Sequence, residues 1–152
     1  MAQKPPVIAL DLDFTLARFR SGYGGFYDIA ESFGISRETA ERELRENIRS
    51  SAGLSFGGYS RSLFPNDSER ANGFETGLDR HFKADFSWYP GVRELLENWR
   101  RQGIPLVVVT AGSEELQTRK LGVLGFGFDE VHITDITVGK ASAIRRIQSE
   151  YP

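Results

Sequence analysis

The sequence predicts an α/β fold, a parallel sheet with helices on both faces and a small, mostly helical insertion after the first strand. Three observations predict it. Short runs rich in β-branched or apolar residues, Val7–Leu10, Ile104–Thr110 and Phe128–Thr134, read as strands. Segments with helical periodicity separate or follow the last two. No long apolar strand pattern occurs between Phe19 and Ser87. Strands that alternate with helices build parallel sheets, whose ligands bind beyond the carboxyl ends of the strands.

Val7–Leu10 follows Pro5-Pro6 and ends at acids, which suits a short strand buried on both faces. The glycine- and aromatic-rich text "SGYGGFYDIAESFG" comes next. Ser36 is a suitable N-cap for a helix to about Arg49, with Ile35, Ala40, Leu44 and Ile48 on one side. Glu38–Arg42 and Glu41–Arg45 are favourable pairs on its wet face. "SSAGLSFGGYS" reads as a break, and 66–83 as helical in part, interrupted by Gly73 and Gly77.

Pro90-Gly91 opens a helix whose Val92, Leu95, Leu96 and Trp99 form an apolar stripe, and Gly103 stops it. The strand Ile104–Thr110 follows. Ser113 caps a helix that directs Leu116, Leu121 and Leu124 to a core and stops at Gly125. After Phe128–Thr134, "GKASAIRRIQSEY" gives a last helix with Ala143, Ile144 and Ile147 inward.

The bulk properties narrow the classes of function. The 152 residues suffice for one core carrying a small subdomain. A net charge of -2 gives no electrostatic footprint for nucleic acid. The chain has no cysteine, so disulfides and thiolate metal sites are excluded. The apolar run near the start is too short for a signal peptide, and nothing reaches transmembrane length. A cytoplasmic protein without a membrane or nucleic-acid partner is the expectation.

The chemistry-bearing residues lie where the strands end. Asp11 and Asp13, in "DLDFTL", put two acids one residue apart at the end of the first strand. Their repulsion and lost hydration need compensation, which a hard cation such as Mg²⁺ supplies. Thr110 ends the second strand and precedes Ala111-Gly112-Ser113 at a helix start, a seat suited to an anion. Lys140 precedes the last helix, where its point charge can hold a phosphate oxygen. Each feature alone is commonplace: a solvated acid pair, a threonine ending a strand, a surface lysine.

Together they resemble the haloacid dehalogenase-like superfamily, whose members are mostly phosphatases. The family's D-x-D-x-T motif corresponds to Asp11-Leu12-Asp13-Phe14-Thr15, with Phe14 where glycine is commonest. Its strand-ending hydroxyl corresponds to Thr110 in "VVVTAGS", and its lysine to Lys140 in "VGKASAI". "TAGSEELQTRKL" is similar to the T-N-G…Q-x-x-K-L pattern of nucleotidases and sugar phosphatases, with Ala111 at the usual asparagine. "YPGVRELLENWRRQGIPLVVVT" matches the usual lead-in helix and strand.

The resemblance implies a discontinuous Rossmann-like core, residues 1–18 and 88–152, and a helical cap at 19–87 that closes over substrate. It implies an Mg²⁺-dependent phosphatase acting on a small phosphorylated metabolite, a nucleotide or a sugar phosphate. Asp11 would be the nucleophile that carries an aspartyl-phosphate, and Asp13 the general acid and then the base. An Asp11 oxygen and the backbone carbonyl of Asp13 would bind Mg²⁺, and Thr110, Ala111 and Lys140 the phosphate. The alternatives are a phosphotransferase or mutase of the same family, and a catalytically silent binding domain.

The family's fourth motif, an acidic pair after a further strand, has no counterpart after Lys140; Asp129 and Asp135 precede it. The expectation is therefore a core truncated at its C-terminal side, weak Mg²⁺ binding and poor hydrolysis. The apolar edge left on the first strand would then be open to pairing with a second copy. Arg18, Arg20 and Arg61 are candidates for a remote anionic group, and Gly22, Gly24 and Gly25 for hinges. His81 and His132 are isolated in the sequence and carry no assigned role.

Overall fold

The computed structural model describes residues 6–50 and 52–151. The chain divides into two compact units, Met1–Arg18 with Ser87–Pro152, and Phe19–Phe86. It passes between them within two short paired strands, β2 (Ala17–Phe19) and β3 (Phe86–Trp88).

The first unit is built on a parallel sheet of β1 (Ile8–Leu10), β4 (Leu106–Ala111) and β5 (Glu130–Thr134), in the order β1-β4-β5. Ile8 pairs with Leu106 and Leu10 with Val108, while Val107 pairs with Glu130 and Ala111 with Thr134. The central strand, not the first, has the fully buried apolar run: Leu106 to Val109 are at most 4% exposed. β1 is an edge strand among the described residues and is only half-buried, with Ala9 facing solvent. The expectation that Val7–Leu10 is buried on both faces is thus corrected: Ile8 and Leu10 are half-buried and Ala9 is exposed.

Helices cover both faces of this sheet. Side chains alternate along a strand, so Val107 and Val109 share one face and Thr110 lies on the other. Helix α7 (Ala141–Glu150) packs Ala143 and Ile147 on Val107 and Val109. Helix α6 (Glu114–Leu124) lies on the Thr110 face, since its Gln117 bonds the Thr110 hydroxyl. Helix α5 (Val92–Arg101) leads into β4 and buries Leu96 completely. Leu95 and Ile144 are each 43% exposed, so the apolar stripes of α5 and α7 are narrower than periodicity suggests.

The second unit contains α1 (Gly24–Ser32), α2 (Arg37–Arg49), α3 (Phe56–Leu63) and α4 (Ser68–Asp85). Ser36 caps α2 as expected, accepting from the Thr39 N–H at 3.3 Å. Arg45 pairs with Glu41, whereas Arg42 pairs with its neighbour Glu43 at 3.1 Å. The supposed break "SSAGLSFGGYS" contains α3, started by Ser55, whose hydroxyl accepts from Gly58 N–H at 3.0 Å. Buried Tyr59 anchors α3 by donating to the Ala40 carbonyl at 3.0 Å. Helix α4 runs unbroken through Gly73 and Gly77, where a Cβ would press on Phe33 and Ile29. Those glycines permit close packing and do not break the helix.

Aromatic rings make this unit's core. Phe26, Phe56 and Phe82 meet edge to face at 5.8 Å, and Phe74 contacts Phe33, Tyr59 and Phe64 at 5.4 to 5.6 Å. Such pairs add about 0.5–1.5 kcal/mol each beyond area burial. Of the glycines expected as hinges, Gly22 precedes α1 at φ 61°, and Gly24 and Gly25 lie in the first turn of α1, where Gly25 leaves room for the His81 ring. Among the described residues, no helix is long and apolar enough to cross a membrane.

Candidate active site

Asp11 follows the last residue of β1, and the Leu10–Val108 register sets the D-x-D segment beside the end of β4. The chain then turns tightly. The Leu12 carbonyl accepts from the Leu16 and Ala17 N–H groups at 2.9 and 3.2 Å, and Phe14 N–H donates to the Ala17 carbonyl at 3.0 Å. This turn forces Phe14 to φ 58°, a left-handed conformation that favours glycine. Phe14 is 68% exposed, so its ring escapes steric conflict while its backbone carries the strain.

Lys140 arrives from the opposite end of the sequence. After β5, the Asp135 carboxylate accepts from Thr137 N–H at 2.6 Å and from the Thr137 hydroxyl. These hydrogen bonds hold the Asp135 carboxyl below its ordinary range. The Asp135 carbonyl accepts from Val138 and Gly139 N–H, and Gly139 takes φ 73°. That loop delivers Lys140 to the start of α7, where its Nζ donates to Asp11 Oδ1 at 2.6 Å. Leu12 N–H donates to the same oxygen at 2.8 Å.

Asp13 has a different set of partners. Lys120 Nζ lies 2.8 and 2.9 Å from its two carboxylate oxygens, and Gln117 Nε2 donates to Oδ2 at 2.9 Å. Gln117 Nε2 also reaches the Thr110 hydroxyl at 2.6 Å and the Ala111 carbonyl at 3.0 Å. Thr110 is buried, at 1% exposure, and β4 continues one residue past it to Ala111. Burial pushes the Lys120 ammonium below the ordinary lysine range, and the charges of Asp13 and Asp11 only partly restore it.

The structure thus brings Asp11 against Lys140 and joins Asp13 to Thr110 and Ala111 through Gln117. Two residues that the Q-x-x-K-L pattern includes but to which the sequence assigned no role, Gln117 and Lys120, hold its acid. They had a visible signal. Lys120 falls midway between Leu116 and Leu124 at four-residue spacing, on the stripe of α6 that faces the core, and Gln117 is three residues before it. A polar pair on a buried stripe calls for a partner.

A family model described as haloacid dehalogenase-like hydrolase matches residues 8–149. The chain belongs to the haloacid dehalogenase-like hydrolase family. A family hydrolase from Xanthomonas campestris is similar in structure over 99% of this chain and 69% of its own, with a TM-score of 0.64 at 16% identity. A magnesium-bound hydrolase of the family from Bacillus subtilis superposes on 86% of this chain and 66% of its own, at 17% identity and TM-score 0.55. A Haemophilus somnus protein designated a phosphoglycolate phosphatase by prediction covers 99% of this chain and 73% of its own, at 16% identity and TM-score 0.51. These likenesses establish the fold. No curated protein matches the sequence closely enough to count as a relative.

As a haloacid dehalogenase-like hydrolase, the chain raises the question of a metal. Mg²⁺ takes oxygen ligands, commonly one or two carboxylates with waters and substrate phosphate oxygens. Asp11 is accessible, at 41% side-chain exposure, and Asp13 is 29% exposed. The Asp11 carboxylate and the Asp13 backbone carbonyl are hard oxygen donors, so the set fits Mg²⁺ in kind. Among the described residues no group of three or more His, Asp or Glu side chains could hold a metal alone.

The remaining candidates are engaged elsewhere. The Arg18 guanidinium stacks over Tyr89, and Arg20 pairs with Asp85. His132 bonds Glu130 at 3.0 Å, and Tyr151 bonds the same carboxylate at 2.6 Å. His81 sits 3.3 Å from the Ser21 hydroxyl, within the second unit.

Proposed function

We propose that this hydrolase cleaves phosphate monoesters of small metabolites, nucleotide or sugar phosphates, through an aspartyl-phosphate on Asp11. The observation that carries this reading is the pairing of Asp11 with Lys140 beside a second acid, Asp13, at the carboxyl end of a parallel sheet. Asp13 favours ester hydrolysis over dehalogenation on chemical grounds. A halide leaves without a proton, whereas an ester oxygen leaves well only when protonated.

An Asp11 oxygen attacks phosphorus and the ester P–O bond breaks. The proton of Asp13 goes to the leaving oxygen, which departs as an alcohol. Water then attacks the aspartyl-phosphate and gives its proton to Asp13, releasing inorganic phosphate and restoring Asp11. Lys140 would move from the Asp11 carboxylate to the phosphoryl oxygens as charge develops there. Ala111 and Thr110 would line the phosphate seat, with Thr110 held in place by Gln117. An Asp11 carboxylate oxygen and the backbone carbonyl of Asp13 would hold Mg²⁺, which supplies charge neutralisation at the phosphoryl group when bound. The second unit would act as a cap that excludes water.

The test is hydrolysis of p-nitrophenyl phosphate and a panel of sugar and nucleotide phosphates, with and without Mg²⁺, by wild type and Asp11→Asn. The reading expects turnover that Asp11→Asn abolishes and one ¹⁸O from labelled water in the phosphate released. Transfer to a sugar acceptor without label would identify a phosphotransferase. The lack of a three-carboxylate cluster among the described residues favours one further reading, a silent binding domain. Absence of heat on titration with Mg²⁺ and beryllofluoride, together with no turnover, would support it.

A further inference from the structure

We infer that Lys120 and Gln117 are positioning residues for the general acid, fixing the Asp13 carboxylate relative to the nucleophile. The inference rests on the proposed phosphatase reading and goes beyond it, because that reading gives Lys120 no role and Gln117 only the holding of Thr110.

Lys120 occupies a place that stability alone would give to leucine or methionine. Its neighbours one turn away on α6, Leu116 and Leu124, are buried, and its own side chain is only 8% exposed. Desolvating an ammonium costs several kcal/mol in general, and apolar replacement of a buried ion pair is often neutral or stabilising. The ammonium nevertheless lies on both oxygens of one carboxylate, at 2.8 and 2.9 Å.

Gln117 carries a second cost. Its Nε2 faces three acceptors, Asp13 Oδ2, Thr110 Oγ1 and the Ala111 carbonyl, although an amide nitrogen has two hydrogens. Its Oε1 is buried without a hydrogen-bond partner among the described residues. An orphaned buried acceptor is unfavourable. Two unfavourable placements therefore converge on one carboxylate, that of Asp13, and tie it to the end of β4. Gly112 makes room for this arrangement: it adopts φ 147°, and a Cβ there would press on the Gln117 side chain at 3.3 Å.

The consequence is an acid with one rotamer. One Asp13 oxygen can carry the proton destined for the ester while the other stays on the Lys120 ammonium. Without Lys120 the carboxyl group is free to turn toward water, and protonation of the leaving oxygen suffers. The Lys120 ammonium also interacts with the Asp11 charge, but that effect is common to all esters. The loss should therefore grow with the basicity of the leaving group.

The experiment compares kcat/KM for p-nitrophenyl phosphate and for phenyl phosphate, similar in shape but with leaving groups of different basicity. Wild type, Lys120→Met, Lys120→Arg and Gln117→Leu are assayed, with thermal midpoints for each. We expect Lys120→Met to lose at least about tenfold more on phenyl phosphate than on p-nitrophenyl phosphate, within the range that general acids contribute. Lys120→Arg should recover part of that difference, and Gln117→Leu should show a smaller loss in the same direction. Should Lys120→Met fail to fold, the arginine and leucine variants decide by the same ratio. An equal loss on both esters, or none, overturns the inference and leaves the phosphatase reading standing. Wild type inactive on both esters overturns the reading and the inference with it.

Discussion

Lys140 Nζ lies 2.6 Å from Asp11 Oδ1, joining residues 129 positions apart in the sequence. The two side chains are 31% and 41% exposed, so the pair is reachable by substrate and screened by water. A pair this accessible adds little stability, and its value lies in the charge it keeps at the sheet end. Lys140→Met should therefore reduce kcat/KM for phosphate esters by roughly 10²–10³-fold, the size of effect from removing one preorganised donor. Its thermal midpoint should stay near that of wild type. A variant that loses stability but keeps activity would assign Lys140 to the fold instead.

Phe14 is the one described residue other than glycine with positive φ, 58°. Left-handed backbone costs a residue with a Cβ about 1–2 kcal/mol, and a ring that is 68% exposed recovers little by burial. Phe14→Gly should raise stability by about 1 kcal/mol, less the entropy that glycine loses on folding. Urea unfolding measures this directly. A stability unchanged or lowered would mean that the Phe14 ring contributes packing that outweighs the strain.

The parallel strands, the helices of the first unit and the position of Asp11, Asp13, Thr110 and Lys140 at strand ends and helix starts were legible because they rest on apolar runs and caps that are local in sequence. Ser36, Ser113 and Gly125 mark helix ends as their chemistry requires. Helices α1 and α3 were not legible. Their glycines lower helix propensity, and aromatic packing with residues far along the chain overrides it. The role of Gln117 and Lys120, present in the Q-x-x-K-L pattern, was missed for a related reason. A lysine in an amphipathic helix is normally solvated, and only the sheet beneath α6 shows that this one meets Asp13.

Asp85 gives the second unit a dependence on pH. Burial pushes its carboxyl up, but the Ser21 N–H at 3.0 Å and hydroxyl at 2.8 Å, with His81 and Arg20 nearby, hold it below the ordinary aspartate range overall. A depressed folded value means that the unfolded chain takes up the proton first as pH falls. The stabilisation is complete above the ordinary aspartate value, about 4, and is lost as pH drops through the lower folded value. Ser21→Ala removes one of the two donors from Ser21. It should cost about 1–2 kcal/mol at neutral pH, and the difference from wild type should shrink between about pH 5 and about pH 2. Urea unfolding across that range checks it; a difference independent of pH would show that the hydroxyl does not act through the Asp85 charge.

Gly25 and His81 should be coupled. Gly25 lies in the first turn of α1, and a Cβ there would fall inside contact distance of the His81 ring and 2.9 Å from Ser21 Oγ. The ring is held in place by Phe26, with centroids 5.6 Å apart, and by the Ser21 hydroxyl and the Asp85 carboxylate. Gly25→Ala should therefore destabilise by about 1–3 kcal/mol through overpacking, although alanine is the better helix former. Replacing the ring by a methyl removes the larger obstacle and leaves the Ser21 hydroxyl, which can rotate away. In a His81→Ala background the same change should be neutral or stabilising, so the double-mutant cycle should give a coupling of about 1–3 kcal/mol. Equal costs in the two backgrounds would mean that glycine is required there for its backbone and not for the room it leaves to His81.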